Sequence, residues 1–301
     1  MQRGWRVRAF VHYRGDHPAG WLERSACLGD IEVVAGDVRD YDAVHAACNG
    51  VDTIFHLAAL IGVPYSYVAP MAYLRTNVEG THNVLQAARA HAVSNLLLTS
   101  SSEIYGSAQY VPIDEGHPAV AQSPYAASKI AADQLALSFW RAFDLPVKLV
   151  RPFNTYGPRQ SPRAIIPSII AQLAAGRQVK IGNLSPRRDF LFVEDTVDGF
   201  LAVAASDRAV GEAVNLGTGR ETSIAELVRV IAAMMRVEVE LLEDPARRRN
   251  EKSEVDRLLC DNRKARLYCS WEPQYTLADG LPPTIVWIRS NPVAAPGTYA
   301  L

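Results

Sequence analysis

Residues 96–106 read LLLTSSSEIYG, a short apolar run that leads directly into a cluster of polar residues. A run that is apolar throughout is typical of a strand covered on both faces, as in a parallel sheet packed between helices. Polar residues after such a strand lie at its carboxyl end, where open α/β sheets bind ligands. This stretch therefore predicts a buried parallel strand with a functional site at its end.

The same pattern continues outward from this stretch, because other β-prone runs alternate with helical patterns. Strands joined by helices form right-handed crossovers, so the order predicts an α/β fold with a doubly wound, Rossmann-like parallel sheet. The predicted strands are 7–11, 31–35, 53–59, 96–99 and 147–150, and the predicted helices between them are 41–48, 71–91 and 125–143.

The pattern is looser in the second half of the chain. Gly176 is a common helix stop, and Ser223 with Glu226 forms a possible capping box. The polar, arginine-rich stretch 244–254 is interpreted as a surface loop. Helices are predicted at 165–175 and 223–236, and strands at 179–181, 190–193 and 214–216.

These patterns predict two parts of unequal size. We expect a dinucleotide-binding domain over residues 1–160, followed by a smaller mixed α/β part over 161–301 that is mainly substrate-binding. Some segments of the second part are expected to return to the large domain. The cleft between the two parts is the expected ligand site.

Composition excludes several classes of protein. The 301 residues carry 31 Lys and Arg against 32 Asp and Glu, with 49% hydrophobic and 21% charged residues. These values are typical of a folded globular chain and unlike those of a disordered one. The balanced charge argues against a nucleic-acid partner, since such proteins usually carry a basic excess.

Targeting and cysteine signals point to the cytoplasm. No apolar run reaches the ~20 residues that cross a bilayer, and the N-terminus lacks a signal-peptide core, so we expect no membrane association. The cysteines fit neither zinc-ligand spacing nor a disulfide framework, and isolated thiols are typical of a reducing compartment. We therefore expect no metal site. The cysteines are Cys27, Cys48, Cys260 and Cys269.

Tyr125 and Lys129 lie four residues apart at the start of a predicted helix, so both project from one face. A free tyrosine has a pKa of about 10, and a nearby ammonium stabilises the phenolate and lowers that pKa. The pair can then take a proton from a sugar hydroxyl while hydride leaves the same carbon. Ser101 would lie beside Tyr125 and hydrogen-bond the substrate hydroxyl. A solvated Tyr and Lys on a surface helix would show the same spacing.

Together, several segments resemble the extended short-chain dehydrogenase/reductase family of NAD-dependent nucleotide-sugar epimerases and dehydratases. The resemblance covers nearly the whole chain, in the family's order. A subgroup of N-acetylglucosamine-nucleotide 4,6-dehydratases, of the legionaminic-acid type, is the most similar. The segments are DTIFHLAA (52–59), NVEG (77–80), SSSEIYG (100–106), AQYVPIDE (108–115), YAASK (125–129), RPFNTYGPR (151–159), SPRRDF (185–190), KSEVDRLL (252–259) and DN (261–262).

The resemblance implies a role for each predicted site residue. Tyr125 is the base at the C4 hydroxyl, Lys129 also holds the nicotinamide ribose, and the substrate is a UDP- or GDP-linked N-acetylhexosamine. The implied cofactor-binding residues are Asp37, Val38, Leu57, Ala58, Ala59, Asn77 and Lys129. The residues implied to contact the substrate phosphates are Asn154, Arg159, Arg188 and Arg249, although the arginines could equally be solvated surface charges.

Glu103 decides between two reactions of this family. Oxidation at C4 acidifies the C5 proton, and a carboxylate there removes it, so that water is lost from C6. The family's epimerases usually carry a small apolar residue at this position, so Glu103 favours a 4,6-dehydratase over a 4-epimerase. Many 4,6-dehydratases have an Asp just before this Glu, as the acid for the leaving hydroxyl. Ser102 stands there instead, which leaves the source of that proton open.

The family's glycine-rich turn, which binds the dinucleotide pyrophosphate, is not found in the sequence. We therefore expect a truncation of roughly twenty residues that removes the first strand. A third hypothesis follows, namely a non-catalytic binding protein. His12, Tyr13 and Arg14 replace the usual acidic residue after the second strand, and Arg14 would suit a 2′-phosphate. NAD is the expected cofactor, with NADP as the alternative.

The family commonly forms two-fold dimers through the helices predicted at 71–91 and 125–143, so a homodimer is expected. Both helices carry apolar residues beyond one narrow stripe, and at least half of these must pack on their own sheet. The residues in question are Ala72, Leu85, Ala88, Ala131, Leu135 and Phe139.

Overall fold

The structure, a computed structural model, describes residues 4–13 and 19–292. No helix within these ranges is long and apolar enough to cross a bilayer. The strands are β1 Val7–His12, β2 Ile31–Gly36, β3 Thr53–His56, β4 Asn95–Thr99, β5 Val147–Pro152, β6 Asn154–Tyr156, β7 Gln178–Ile181, β8 Arg187–Arg188, β9 Phe190–Phe192, β10 Ala213–Leu216, β11 Thr222–Ser223, β12 Glu240–Glu243 and β13 Arg257–Leu258. The α-helices are α1 Tyr41–Ala47, α2 Val63–Val68, α3 Pro70–Tyr73, α4 Gly80–Ala90, α5 Pro124–Phe143, α6 Ile165–Ala175, α7 Val193–Ala205, α8 Ile224–Met235, α9 Arg263–Cys269 and α10 Leu277–Ser290.

The main sheet contains four parallel strands in the order β10-β5-β4-β3. Leu96, Leu97 and Leu98 of β4 are all buried, as expected for a strand covered on both faces. Helices α4 and α5 pack on one face, and α7 and α9 pack on the other. The predicted doubly wound parallel sheet is therefore confirmed.

Strands β1 and β2 pair in parallel with each other and form a separate two-stranded sheet. Within the described ranges, no strand pairs with the second edge of β1 or with that of β3. The ring of Trp5, just before β1, lies 6.5 Å from the ring of Phe55 in β3. This interruption is at the position where the family resemblance expects the first strand.

A second apolar core is built mainly from residues after 155. It joins α6, α8 and α10 with the parallel pair β7 and β12. The predicted capping box of α8 is confirmed, because Ser223 Oγ accepts from the Glu226 amide and the Glu226 carboxylate accepts from the Ser223 amide. Strand β10 and helix α7 belong to the same half of the chain but pack on the main sheet.

The helix predicted over 71–91 is present, and it contains one irregular turn. Helix α3 passes into a wider π-helical turn over Leu74–Glu79, and α4 begins at Gly80. Asn77 lies in this turn, and its side chain bonds both the amide and the carbonyl of Leu60. Such π turns often mark functional sites. Here the turn directs Asn77 toward the loop that follows β3, a tertiary contact that helical periodicity does not report.

Candidate active site

Ser101 and Tyr125 are brought together by two elements that end at the same edge of the sheet. Ser101 follows β4 and caps a short 3-10 turn, accepting a hydrogen bond from the Glu103 amide at 3.2 Å. Tyr125 is the second residue of α5, whose start is fixed by the Ser123 cap and by Pro124. The side chains of Ser101 and Tyr125 hydrogen-bond each other, and Tyr125 is only 6% exposed.

Lys129 lies one helical turn after Tyr125 and is 4% exposed. Its Nζ donates to the carbonyl of Thr99 at 2.7 Å. Burial lowers the pKa of Lys129 to about 8, and the negative charge of Asp133 opposes this shift. The ammonium is thus held between α5 and the end of β4.

The pKa of Tyr125 is shifted in the opposite direction to the one that the sequence predicted. Burial raises this pKa above its ordinary value, and the hydrogen bond from Ser101 opposes the shift. The negative charge of Glu103 raises it further. The sequence pattern predicted a lowering by Lys129, but the desolvation of a buried phenolate is the largest influence and Lys129 is not among the main ones.

Glu103 lies between the tyrosine and two arginines. Its side chain is 13% exposed, and Oε2 is 3.8 Å from Arg249 Nη1, an ion pair too long to be a hydrogen bond. Arg188 is buried nearby; burial lowers its pKa and the charge of Glu103 opposes that shift. Arg188 Nη2 also lies 3.8 Å from Glu254 Oε1. A carboxylate is therefore held where two cations converge.

The segment 244–254 is more than the surface loop that its composition predicted. It contains two 3-10 turns, Pro245–Arg247 and Glu251–Ser253, and it carries Arg249 toward Glu103. Ser253 Oγ donates to the carbonyl of Gln122, which attaches the segment to the entry of α5. The segment is a surface loop as predicted, but a charged composition does not reveal which of its charges find partners.

Among the buried polar atoms that have no hydrogen-bond partner within the described part of the chain, two belong to predicted substrate-binding residues. They are Arg249 Nη1, a donor, and Asn154 Oδ1, an acceptor on β6. Unsatisfied buried polar groups are rare, and a bound ligand is one reason for them. Both residues were predicted to contact the substrate phosphates.

Arg159 lies in a different setting. It lines a cavity of about 350 Å³ together with Gln160, Trp21 and Trp287. The rings of the two tryptophans meet edge to face, with centroids 5.4 Å apart. No contact between Arg159 and the Glu103 group is seen in the described residues, so the structure does not bring this arginine to the others.

The predicted cofactor-binding residues of the β3 end form an open apolar surface. Leu57 is 62% exposed, Ala58 is exposed and Ala59 is half-buried, directly after the strand. Asn77 fixes this loop through Leu60 and also donates to Ser128 on α5, at 2.9 Å. An exposed leucine at the carboxyl end of a parallel strand fits the apolar part of a dinucleotide.

The second group of predicted cofactor residues follows β2. The carboxylate of Asp37 pairs with Arg39, which lowers the pKa of Asp37 to about 2. The side chain of Val38 is buried against Gly80 and its carbonyl accepts from Asn83 Nδ2, so its side chain is not available to a ligand. Arg14, predicted to favour a 2′-phosphate, lies outside the described residues.

Ser102 is buried beside Glu103, and its hydroxyl has no ionisable character near neutral pH.

Within residues 4–13 and 19–292, no group of three or more His, Cys, Asp or Glu is placed to hold a metal ion. A serine, a tyrosine and a lysine at the end of a parallel sheet are chemically suited to move a proton to and from a substrate hydroxyl beside a dinucleotide.

Comparison with known proteins identifies the family of this chain. The family model described as GDP-mannose 4,6 dehydratase matches residues 1–284. A UDP-glucose 4-epimerase of Mycolicibacterium smegmatis is 35% identical over 266 residues, which are 86% of this chain and 83% of that protein. A dTDP-glucose 4,6-dehydratase of Streptomyces griseus is 36% identical over 246 residues, which are 80% and 73% of the two chains.

A solved structure is similar along almost its whole length. The dTDP-glucose 4,6-dehydratase DesIV of Streptomyces venezuelae, solved with NAD bound, has a TM-score of 0.86 and 28% identity, covering 96% of this chain and 90% of that one. The chain belongs to the extended short-chain dehydrogenase/reductase family of NAD-dependent nucleotide-sugar epimerases and dehydratases.

Proposed function

We propose that this protein is an NAD-dependent nucleotide-sugar 4,6-dehydratase that acts on an N-acetylhexosamine nucleotide, like the legionaminic-acid type. The reaction oxidises C4, removes water across C5 and C6, and returns the hydride to C6 while C5 takes up a proton, which balances the one that the C4 hydroxyl gave up. The observation that carries the proposal is the Glu103 carboxylate, held beside the hydrogen-bonded Ser101 and Tyr125. A carboxylate there supplies the base for C5 that an epimerase does not need.

Tyr125 is assigned the first proton transfer. It accepts the proton of the C4 hydroxyl as that carbon becomes a ketone, while Ser101 hydrogen-bonds the same oxygen. A bound NAD supplies the hydride acceptor for this step. Because burial keeps the pKa of Tyr125 high, formation of the phenolate depends on the Lys129 ammonium one turn away.

Glu103 is assigned the elimination. Its carboxylate removes the C5 proton, which the C4 ketone has made acidic, and the C6 hydroxyl leaves as water after gaining a proton. Ser102 is far too weak an acid to supply that proton directly. We assign the transfer to Glu103 itself, which holds the abstracted C5 proton next to the leaving group.

Arg188, Arg249 and Asn154 are assigned to the substrate diphosphate. Arg249 forms an ion pair with Glu103, and the charge of Glu103 also acts on Arg188. Arg249 Nη1 and Asn154 Oδ1 have no hydrogen-bond partner in the described residues, which leaves both able to bond a ligand. A diphosphate is anionic and suits arginine donors. UDP is the first candidate nucleotide and GDP the second.

A 4-epimerase is the second candidate. The relative from Mycolicibacterium smegmatis, 35% identical, is a UDP-glucose 4-epimerase, and Ser102 replaces the acid found in many dehydratases. An epimerase would use Ser101, Tyr125 and Lys129 in the same way, and Glu103 would then only pair with Arg249. The two candidates therefore differ in the role of one side chain.

Product analysis separates them. The full chain is incubated with NAD or NADP and with UDP-N-acetylglucosamine, its GDP analogue or UDP-glucose, and products are identified by NMR and mass spectrometry. A 4-keto-6-deoxy sugar supports the dehydratase, and an inverted 4-hydroxyl supports the epimerase. Absence of both products, while Tyr125→Phe and the parent bind the nucleotide equally, would contradict both and favour a binding protein.

A homodimer through α4 and α5 is also part of the proposal. Of the apolar residues noted in the sequence, Leu85, Ala88 and Phe139 pack into the chain's own core. Ala131 is exposed on α5, whereas Leu135 is half-buried and packs against the chain's own core. The outer face of α5 exposes Ala127 and Ala131 beside Gln134 and Ser138, so small side chains there leave room for a second helix.

A further inference from the structure

A buried chain of polar side chains runs behind the active site, and the proposed reaction does not use it. Its centre is Asp133, one turn after Lys129 on α5. Asp133 Oδ2 accepts from Ser100 Oγ at 2.8 Å and from Arg151 Nη2 at 3.1 Å. All three side chains are less than a tenth exposed. A buried ion pair is costly to desolvate and is weak evidence for added stability, so we ask what other role these side chains have.

The hydrogen-bond network continues from Arg151 to Tyr105, which lies at the far end of the segment 100–105. Arg151 Nη1 donates to the hydroxyl of Tyr105 at 3.0 Å, and that hydroxyl donates to Asn215 Oδ1 at 2.7 Å. The backbone amide of Asn215 donates to the Glu115 carboxylate at 2.8 Å. Strands β5 and β10, which carry Arg151 and Asn215, are adjacent and parallel. The network is thus anchored in the middle of the sheet.

The two ends of this network enclose the site. Ser100 is the first residue of the segment 100–105 and Tyr105 is the last, and Ser101, Ser102 and Glu103 lie between them. The Asp133–Arg151 pair therefore holds both ends of one short turn. A six-residue turn fixed at both ends to a rigid sheet has little freedom to displace the groups in its middle.

We propose that Asp133 and Arg151 are positioning residues that fix Ser101 and Glu103 by holding Ser100 and Tyr105 at the two ends of the catalytic segment. The reactive alignment of Ser101 and Glu103 is the part that rests on the proposed function. The fixing of the segment itself does not rest on it.

The test removes one bond at each end without removing the buried charges. Tyr105→Phe deletes the hydroxyl that Arg151 and Asn215 share, and Ser100→Ala deletes the bond to Asp133. Ser100→Thr restores a hydroxyl and serves as the rescue variant. The matched control is Thr284→Val in α10, which removes a buried hydroxyl bond to the Gly280 carbonyl far from the site.

Two readouts are measured on each full-length variant. Hydrogen exchange of the amides in 100–106 is expected to accelerate up to about tenfold in Tyr105→Phe and Ser100→Ala, because one net hydrogen bond is lost. The kcat for sugar turnover is expected to fall on the order of 10–10²-fold while KM changes little, because misplaced catalytic groups cost rate rather than binding. Ser100→Thr should recover much of the loss, and Thr284→Val should change neither readout.

Each outcome decides the proposal. Unchanged exchange in 100–106 would overturn it whatever the activity. Faster exchange with an unchanged kcat would also overturn it, since the segment would be held without effect on the reaction. A parent chain that turns over no nucleotide sugar, combined with faster exchange in both variants, would keep the holding role of Asp133 and Arg151 and remove the proposed function alone.

Discussion

Replacing Glu103 with Gln separates the two roles that the structure gives this side chain. The substitution keeps the size and polarity of the group and removes its charge and its basicity. If Glu103 is the base at C5, net dehydration should fall by about 10²–10⁴-fold, the usual contribution of a general base. That loss corresponds to about 3–5 kcal/mol of activation free energy. Oxidation at C4 should persist, since Tyr125 is untouched.

The same change has an opposite effect on nucleotide binding. Glu103 Oε2 lies 3.8 Å from Arg249 Nη1, and two unit charges at this distance interact by about 4 kcal/mol at an effective dielectric constant of 20. This gross energy competes with a diphosphate for the arginine. Glu103→Gln should therefore bind UDP as tightly as the parent or more tightly.

The matched control is Glu254→Gln. Glu254 lies 3.8 Å from Arg188, so its removal also frees an arginine, but no proton transfer is assigned to it. We expect this variant to keep keto-sugar formation. Activity is measured with UDP-N-acetylglucosamine as substrate, from the cofactor absorbance and the release of keto sugar. The affinity for UDP is measured by calorimetry. Unchanged keto-sugar formation in Glu103→Gln, or an equal loss in both variants, would refute the assignment.

Three further predictions concern other parts of the molecule. Tyr125→Phe should lower the rate by about 10²–10⁴-fold with nearly unchanged substrate binding, and a rate within tenfold of the parent would remove Tyr125 from the mechanism. Burial lowers the pKa of His56 to about 3, so between pH 6.5 and 3 the unfolded chain gains a proton on this residue and the folded chain does not. The free energy of unfolding therefore decreases as the pH falls. In urea unfolding, the parent should lose about 2 kcal/mol more of this free energy between pH 7 and 5 than His56→Gln does. Light scattering at micromolar concentration should report a dimer, and a monomer would contradict the α4–α5 interface.

Local patterns predicted much of the architecture because they report short-range requirements. The apolar run 96–99, the Ser223–Glu226 capping box and the helix over 125–143 all depend on residues within one or two turns of each other. Helix α10 was not predicted, since Pro282 and Pro283 interrupt its pattern. The π-helical turn at Asn77 was also missed, and the side chain of Asn77 bonds Leu60, which lies seventeen positions earlier and outside the helical pattern.

The sequence by itself determined the parallel sheet and the order of its strands and helices along the chain, and it predicted a site that begins at Ser101, at the end of β4. These follow from hydrophobic periodicity and from the rule that the carboxyl ends of parallel strands meet. Only the tertiary structure decided that Arg249 reaches Glu103, that burial raises the pKa of Tyr125, and that Asp133 and Arg151 hold the segment between them. Those features depend on desolvation and on contacts between distant residues, and neither is encoded in the spacing of neighbouring ones.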